Sequence, residues 1–294
     1  MKRYCLYLFI LIGISCSAEL KAQKNGTVYK GNDPAVRYTG RTLVSPDGSV
    51  AFDWVGTYLE TRFTGGKLSV KVSETGTSYY NVFVDGKLHK VVKVCGTDTL
   101  IHLVSGIDKR IHSLKIQKRS EGEFGKTTVH QFVLSGSGRL AEEPAVRTRH
   151  IEFIGNSLTC GYGTDGKHRD EPFLVETENC NLTFASMVAR YYDADYTLIA
   201  HSGRGAARNY GDSVRVSKVT MKDRMLNTFD EDLTHKWNFK EYRPDLVVIN
   251  LGSNDFSTEP HPYKSEFTKA YKQILAQLRE HYGDIPILCI CPVA

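Results

Sequence analysis

Three short polar constellations in this chain have the residue types for acyl transfer: Gly155-Asn156-Ser157-Leu158, Ser202-Gly203-Arg204-Gly205 and Gly252-Ser253-Asn254-Asp255. Each follows a short apolar run, at 151–154, 196–200 and 246–251. A serine hydroxyl attacks an ester only when a base takes its proton, and the tetrahedral intermediate needs preorganised donors for its oxyanion. Ser157 supplies the hydroxyl and, at a strand-to-helix turn, a backbone N–H; Gly203 offers a second N–H with no side chain in the way; the Asn254 amide is a third donor. Any one of these alone reads as a turn or a helix N-cap. All of them in order, at the ends of successive strands, point to one site. Leu158-Thr159 after the serine does not fit a Gly-x-Ser-x-Gly elbow, and no Gly-Lys-Ser/Thr follows the first run, so neither an α/β-hydrolase nor a phosphate loop is indicated.

The elements that must carry these motifs follow from periodicity. The runs at 151–154, 196–200, 246–251 and 285–290 are short, apolar and bounded by turn residues, as strands buried on both faces of a parallel sheet are. Helical spacing appears between them, in Phe184, Met187, Val188 and Tyr191, and in Phe267, Ala270, Ile274 and Leu278, with Gly283 as a C-cap. Residues 150–294 therefore predict a doubly wound, flavodoxin-like α/β domain with its ligand site outside the carboxyl ends of the strands. Residues 36–140 differ: Val50, Phe52 and Trp54, then Leu68, Val70 and Val72, then Tyr80, Val82 and Val84 alternate with period two, and Asp47-Gly48 and Asp85-Gly86 are hairpin-type turns. That pattern predicts a β-sandwich of jelly-roll type with Trp54 in its core. The small polar stretch 135–144 reads as the linker.

The chain has 294 residues, 41% hydrophobic and 24% charged, enough for two domains with sizeable cores. Residues 1–22 read as an export signal: Lys2 and Arg3, an apolar run from Leu6 to Ile14, then small residues up to Ala22, with lipidation at Cys16 as the lesser alternative. Removing Lys2, Arg3 and Lys21 against Glu19 lowers the net charge by two, from +5 to +3, too weak a balance to indicate nucleic acid or an anionic membrane as partner. No later run approaches the roughly 20 apolar residues of a membrane-spanning helix. A secreted or periplasmic location follows. Among the seven cysteines, Cys160 and Cys180 flank a polar loop and are the pair to join if any is joined, whereas Cys289 and Cys291 read as small buried hydrophobes. No Cys/His spacing matches zinc, and the reading calls for neither a metal nor a cofactor.

Through Gly155-Asn156-Ser157-Leu158, Gly203 and Gly252-Ser253-Asn254-Asp255, the sequence resembles the SGNH, or GDSL-like, hydrolases. The β-rich region joined to Ile151-Glu-Phe-Ile-Gly-Asn-Ser-Leu-Thr-Cys-Gly-Tyr-Gly163 resembles carbohydrate esterase family 2 in particular, such as the acetyl xylan esterases. The resemblance implies Ser157 as nucleophile, with Ser157, Gly203 and Asn254 as the oxyanion hole, and O-acetyl groups of plant polysaccharides such as xylan as substrate. Asn156 departs from the Asp usual in the wider superfamily. Of the aromatic residues that match a pyranose face, Tyr162, Trp54 and Trp237, the best placed is Tyr162, five residues after the nucleophile.

The resemblance also implies a base, a His in an Asp-x-x-His block after a fifth strand, while this sequence stops at Ala294, just after the fourth. The expectation is a chain lacking its last strand, last helix and His block. His168 and His235 stand in Asp-x-x-His matches in loops, and His201 and His261 lie nearer the site. Two alternatives stay open: a catalytically impaired carbohydrate-binding protein of the same fold, or a lipid or aryl esterase of the superfamily.

Overall fold

A computed structural model describes residues 26–142 and 145–290; the export signal, Cys16 and Cys291 lie outside the described residues. The N-terminal region is sheet-rich: β1 Gly26–Lys30, β2 Val36–Thr39, β3 Leu43–Val44, β4 Val50–Phe52, β5 Tyr58–Val84, β6 Lys87–Lys118, β7 Thr127–Ser135 and β8 Arg139–Leu140. These eight strands form one hydrogen-bonded sheet with antiparallel pairings. The short alternating strands expected from sequence are joined into two long ones. β5 pairs near its start, at Tyr58 to Thr64, with residues 111–117, in its middle with β7, and near its end, from Tyr80 to Val84, with both arms of β6. Left-handed Gly65, Gly66, Gly96 and Gly106 give the backbone its corners. Segments from separate ladders then share one apolar cluster that includes Phe52, Phe63, Leu68, Val82, Phe132 and Leu134. Within the stretch expected as a linker, β8 pairs with β5 through Leu140 and Phe63.

The second region is a parallel sheet of four described strands, β9 His150–Gly155, β10 Asp195–Ala200, β11 Leu246–Ile249 and β12 Ile287–Cys289, in the order β10-β9-β11-β12. The chain leaves central β9 first to one side and then to the other, so the strand order reverses at β9, and ligand sites form at such a switch point. The helices are α1 Ser157–Cys160, α2 Phe184–Tyr191, α3 Met221–Arg224 and α4 Lys264–Tyr282. Helix α4 buries Ala270, Ile274 and Leu278 and ends at Gly283, as the spacing predicts. Helix α2 is where expected but presents a different face: Ala185, Ser186 and Ala189 are buried, while Met187 and Tyr191 are exposed. Small residues let this helix approach the sheet closely, so the bulky stripe is left outside.

Trp54 is a correction of a different kind. It is buried not in the sheet domain's own core but among Ile154, Ile199, Met221 and Met225 of the α/β region. Its neighbours Val55 and Tyr58 join Phe153, Tyr196 and Leu198. Gly56, with φ +75°, approaches so closely that a Cβ would lie 2.6 Å from Leu198 Cδ1. Tyr58 donates from its hydroxyl to Asp195 at 2.6 Å, and Arg37 and Arg147 each donate to the same carboxylate at 2.7 Å. Burial alone would raise the Asp195 pKa, but these donors outweigh it and hold it at about 2. The two regions thus share core and charge pairs. Cys160 and Cys180 are both buried free thiols, and Cys289 is exposed rather than buried.

Candidate active site

Asn156 sits between β9 and α1 with extended backbone angles, φ −133° and ψ −151°, and caps the helix by accepting the Leu158 N–H at 3.3 Å. Its other amide atom, Nδ2, donates to Ser253 Oγ at 2.9 Å. An Asp here would have only acceptors, so Asn allows one side chain to cap the helix and donate across to the third strand's loop. Gly155 must be bare, since a Cβ would lie 2.0 Å from Thr159 Oγ1. Ser157 begins α1. Neither its hydroxyl nor its backbone N–H is bound to another described residue.

Beyond β10, His201 N–H reaches Gly155 O at 3.4 Å and Gly203 adopts φ +73°. The Gly203 N–H likewise has no partner among the described residues. Beyond β11, buried Asn254 donates from Nδ2 to Arg204 O at 2.8 Å, leaving the second amide hydrogen for another acceptor. Asp255, fully buried, accepts the backbone N–H groups of Ala206, Ala207 and Arg208 at 3.0, 2.6 and 2.9 Å. A Cβ on Gly205 would lie 2.4 Å from that carboxylate, so glycine is what lets the loop close on it. The third motif is therefore bonded directly to the first and to the second, and His201, just before the second, bonds Gly155 of the first.

Sequence reasoning missed a layer of acids behind these loops. Glu121, from the segment after β6, accepts the Ser202 N–H at 2.6 Å and faces the Cys160 thiol at 3.4 Å. Its own N–H donates to Glu178 Oε2 at 2.9 Å. Burial, reinforced by Glu121, raises the Glu178 carboxyl well above the usual carboxylate range, and burial likewise pushes the Cys160 thiol up. His201, also buried, binds Asp230 Oδ2 through Nδ1 at 2.7 Å, and its Nε2 lies 3.6 Å from Glu123. Burial opposes its charge, but Asp230 outweighs that and raises its pKa. Asp53, which accepts the Asp230 N–H at 2.8 Å, is pushed up to about 7 by burial and by Asp230. The local signals for this layer are the acidic pair of Glu121 and Glu123 around Gly122 and the acidic run Asp230-Glu231-Asp232, both of which look like solvated turns.

The remaining candidates separate clearly. Tyr162 is half-exposed and stacks on Phe173, with centroids 3.8 Å apart and planes at 11°; Phe124 from the N-terminal region extends this aromatic ledge at 5.7 Å from Phe173. Trp54 and Trp237 are buried and offer no face to a ligand. His168 and His235 are exposed, and His261 lies 3.4 Å from Glu259. None of the described histidines hydrogen-bonds Ser157. Glu121, Cys160 and Glu178, and separately His201, Asp230 and Glu231, each bring three potential ligand atoms within 4.8 Å of one another. Within these groups Cys160 donates to Glu121 at 3.4 Å, and His201 Nδ1 lies 2.7 Å from Asp230.

Residues 38–144 match the carbohydrate esterase 2 N-terminal family, and residues 153–294 match the GDSL-like lipase/acylhydrolase family. The solved structure of a family two carbohydrate esterase from Clostridium thermocellum in complex with cellohexaose superposes with a TM-score of 0.82 at 34% identity, covering 87% of this chain and 77% of that one. The chain belongs to carbohydrate esterase family 2. Among curated family relatives, cellulase/esterase CelE of Acetivibrio thermocellus is 34% identical over 258 residues, 88% of this chain and 31% of that protein. An acetylxylan esterase/glucomannan deacetylase of Cellvibrio japonicus is 33% identical over 226 residues, 74% of this chain and 61% of that protein. The chain thus spans about a third and three fifths of the lengths of these two family members.

Proposed function

We propose that this protein is a serine esterase that removes O-acetyl groups from plant cell-wall polysaccharides such as xylan or glucomannan. One observation carries the reading: the loops bearing Ser157, Gly203 and Asn254 are bonded to one another, yet the Ser157 and Gly203 amides are not spent on other described residues. Ser157 Oγ would attack the acetyl carbonyl while a base takes its proton. The oxyanion would be received by the two backbone N–H groups and the free Asn254 amide hydrogen. Collapse would release the sugar hydroxyl and leave an acetyl-serine for water to cleave. In the family resemblance the base comes from a His block after a fifth strand. The relatives' names supply the substrate class, and the Tyr162 ledge offers a flat face for a sugar ring beside α1. We further propose a jelly-roll arrangement for residues 36–140, an α/β hydrolase domain for residues 150–294 and a secreted or periplasmic location; no helix among the described residues is long and apolar enough to cross a membrane.

The test is acetate release from acetylated xylan and glucomannan by the full chain that the gene encodes. Ser157→Ala should lower kcat by about 10⁴-fold or more, and a chelator should leave the rate unchanged. Acetate release unaltered in Ser157→Ala would sink the serine mechanism. A second reading, a carbohydrate-binding protein, is favoured by the exposed aromatic ledge and by the cellohexaose complex of the structural neighbour. It predicts polysaccharide binding, with no acetate released by the wild type.

A further inference from the structure

Glu121 belongs to the sheet-rich region, yet its carboxylate is fully buried behind the α/β loops. Oε2 receives the Ser202 N–H at 2.6 Å, one residue before Gly203, and faces the thiol of Cys160 at 3.4 Å, the last residue of the helix that Ser157 begins. The backbone behind Glu121 is clamped as well. Its N–H donates to Glu178 at 2.9 Å, its carbonyl accepts from Lys118 Nζ at 3.3 Å, and Arg119 Nε donates to Glu178 O at 2.7 Å. Gly122 passes so near Asp230 that a Cβ would lie 2.8 Å from the Asp230 Cβ. Oε2 carries the bonds from Ser202 and Cys160 while the buried Oε1 meets no described donor, so the carboxylate is held through one oxygen, as a strut rather than a solvated turn. Its negative charge opposes an oxyanion nearby, which means any contribution to rate must come from where it holds the loops.

We infer that Glu121 is a positioning residue of the site: it fixes the spacing between the Ser157 helix and the Gly203 loop, and through it the N-terminal region becomes part of the catalytic apparatus. This inference rests on the proposed esterase reading for its kinetic consequence but not for its structural one.

Two variants separate reach from charge. Glu121→Gln keeps an acceptor at the same distance and removes the charge; Glu121→Asp keeps the charge and withdraws the acceptor by one methylene. Glu121→Gln should retain kcat within about threefold. Glu121→Asp should lose about ten- to a hundredfold in kcat with little change in KM, since a displacement near 1 Å at a catalytic group costs on that order. Amide hydrogen exchange over residues 201–205 should accelerate at least about tenfold in Glu121→Asp and stay unchanged in Glu121→Gln, with residues 246–250 unaffected in both. Equal exchange in Glu121→Asp and wild type, or a Gln variant as impaired as the Asp variant, would overturn the inference. A wild type that releases no acetate refutes the esterase reading instead, and the exchange comparison still decides the role of Glu121.

Discussion

Asn156 Nδ2 donates to the hydroxyl of Ser253 at 2.9 Å, which makes the residue before the candidate nucleophile and the residue before the candidate oxyanion amide direct partners. The bond is side chain to side chain across two strand ends, so it sets the approach of two loops without fixing either backbone. Asn156→Ala removes both this tie and the helix cap. We expect about 1 kcal/mol of stability to be lost, read by urea unfolding, and kcat to fall about tenfold or more. Asn156→Asp, which can accept from the Ser253 hydroxyl, should recover most of both.

Asn254 has one amide hydrogen committed to Arg204 O and one free. Asn254→Ala should cost about 10²- to 10³-fold in kcat with KM nearly unchanged, the signature of a donor used only in the transition state. Steady-state kinetics on p-nitrophenyl acetate checks it; a change confined to KM would reassign Asn254 to ground-state binding.

The Asp53 carboxyl ordinarily titrates at 3.8 and is held at about 7 here. Between these values the folded protein keeps a proton that the unfolded chain has released, so stability is highest below the unfolded value and falls as pH rises through about 7. Glu178 acts with the same sign. The urea midpoint should therefore decline from pH 5 to pH 7.5, and Asp53→Asn should flatten that slope whatever its effect at any single pH. An unchanged slope would remove Asp53 from the account.

Trp54 is a fully buried indole whose Nε1 donates to Asn227 O at 3.4 Å. Trp54→Ala leaves a cavity between the two regions and should cost about 3–5 kcal/mol. Because the cavity lies in both, calorimetry should show a single transition moving to lower temperature. Two transitions, with only one shifted, would contradict a shared core.

Much of the second region was legible because its signals are local. A short apolar run ending in a glycine-rich polar turn specifies both a buried strand and the place where it stops, so the turns that carry Ser157, Gly203 and Asn254 could be placed at the ends of β9, β10 and β11. Longer-range information was not. Period-two alternation gives Trp54 an inward side but cannot say which core receives it. On α2, the large apolar residues mask the small Ala185, Ser186 and Ala189 that make contact. Glu121 lies 81 residues from the Ser202 amide it holds, and nothing in its surroundings distinguishes it from a surface acid.

The path of residues 54–58 bears on how such chains are inherited. A recombination crossover in the polar stretch near residue 140 looks harmless by composition, yet it would part an indole carried by one half from the Met221 and Met225 socket carried by the other. Exchange of whole modules between relatives would succeed only where the incoming half brings a side chain of matching shape. Surviving combinations should therefore show paired substitutions across this seam, a size change at position 54 answered by one at 221 or 225.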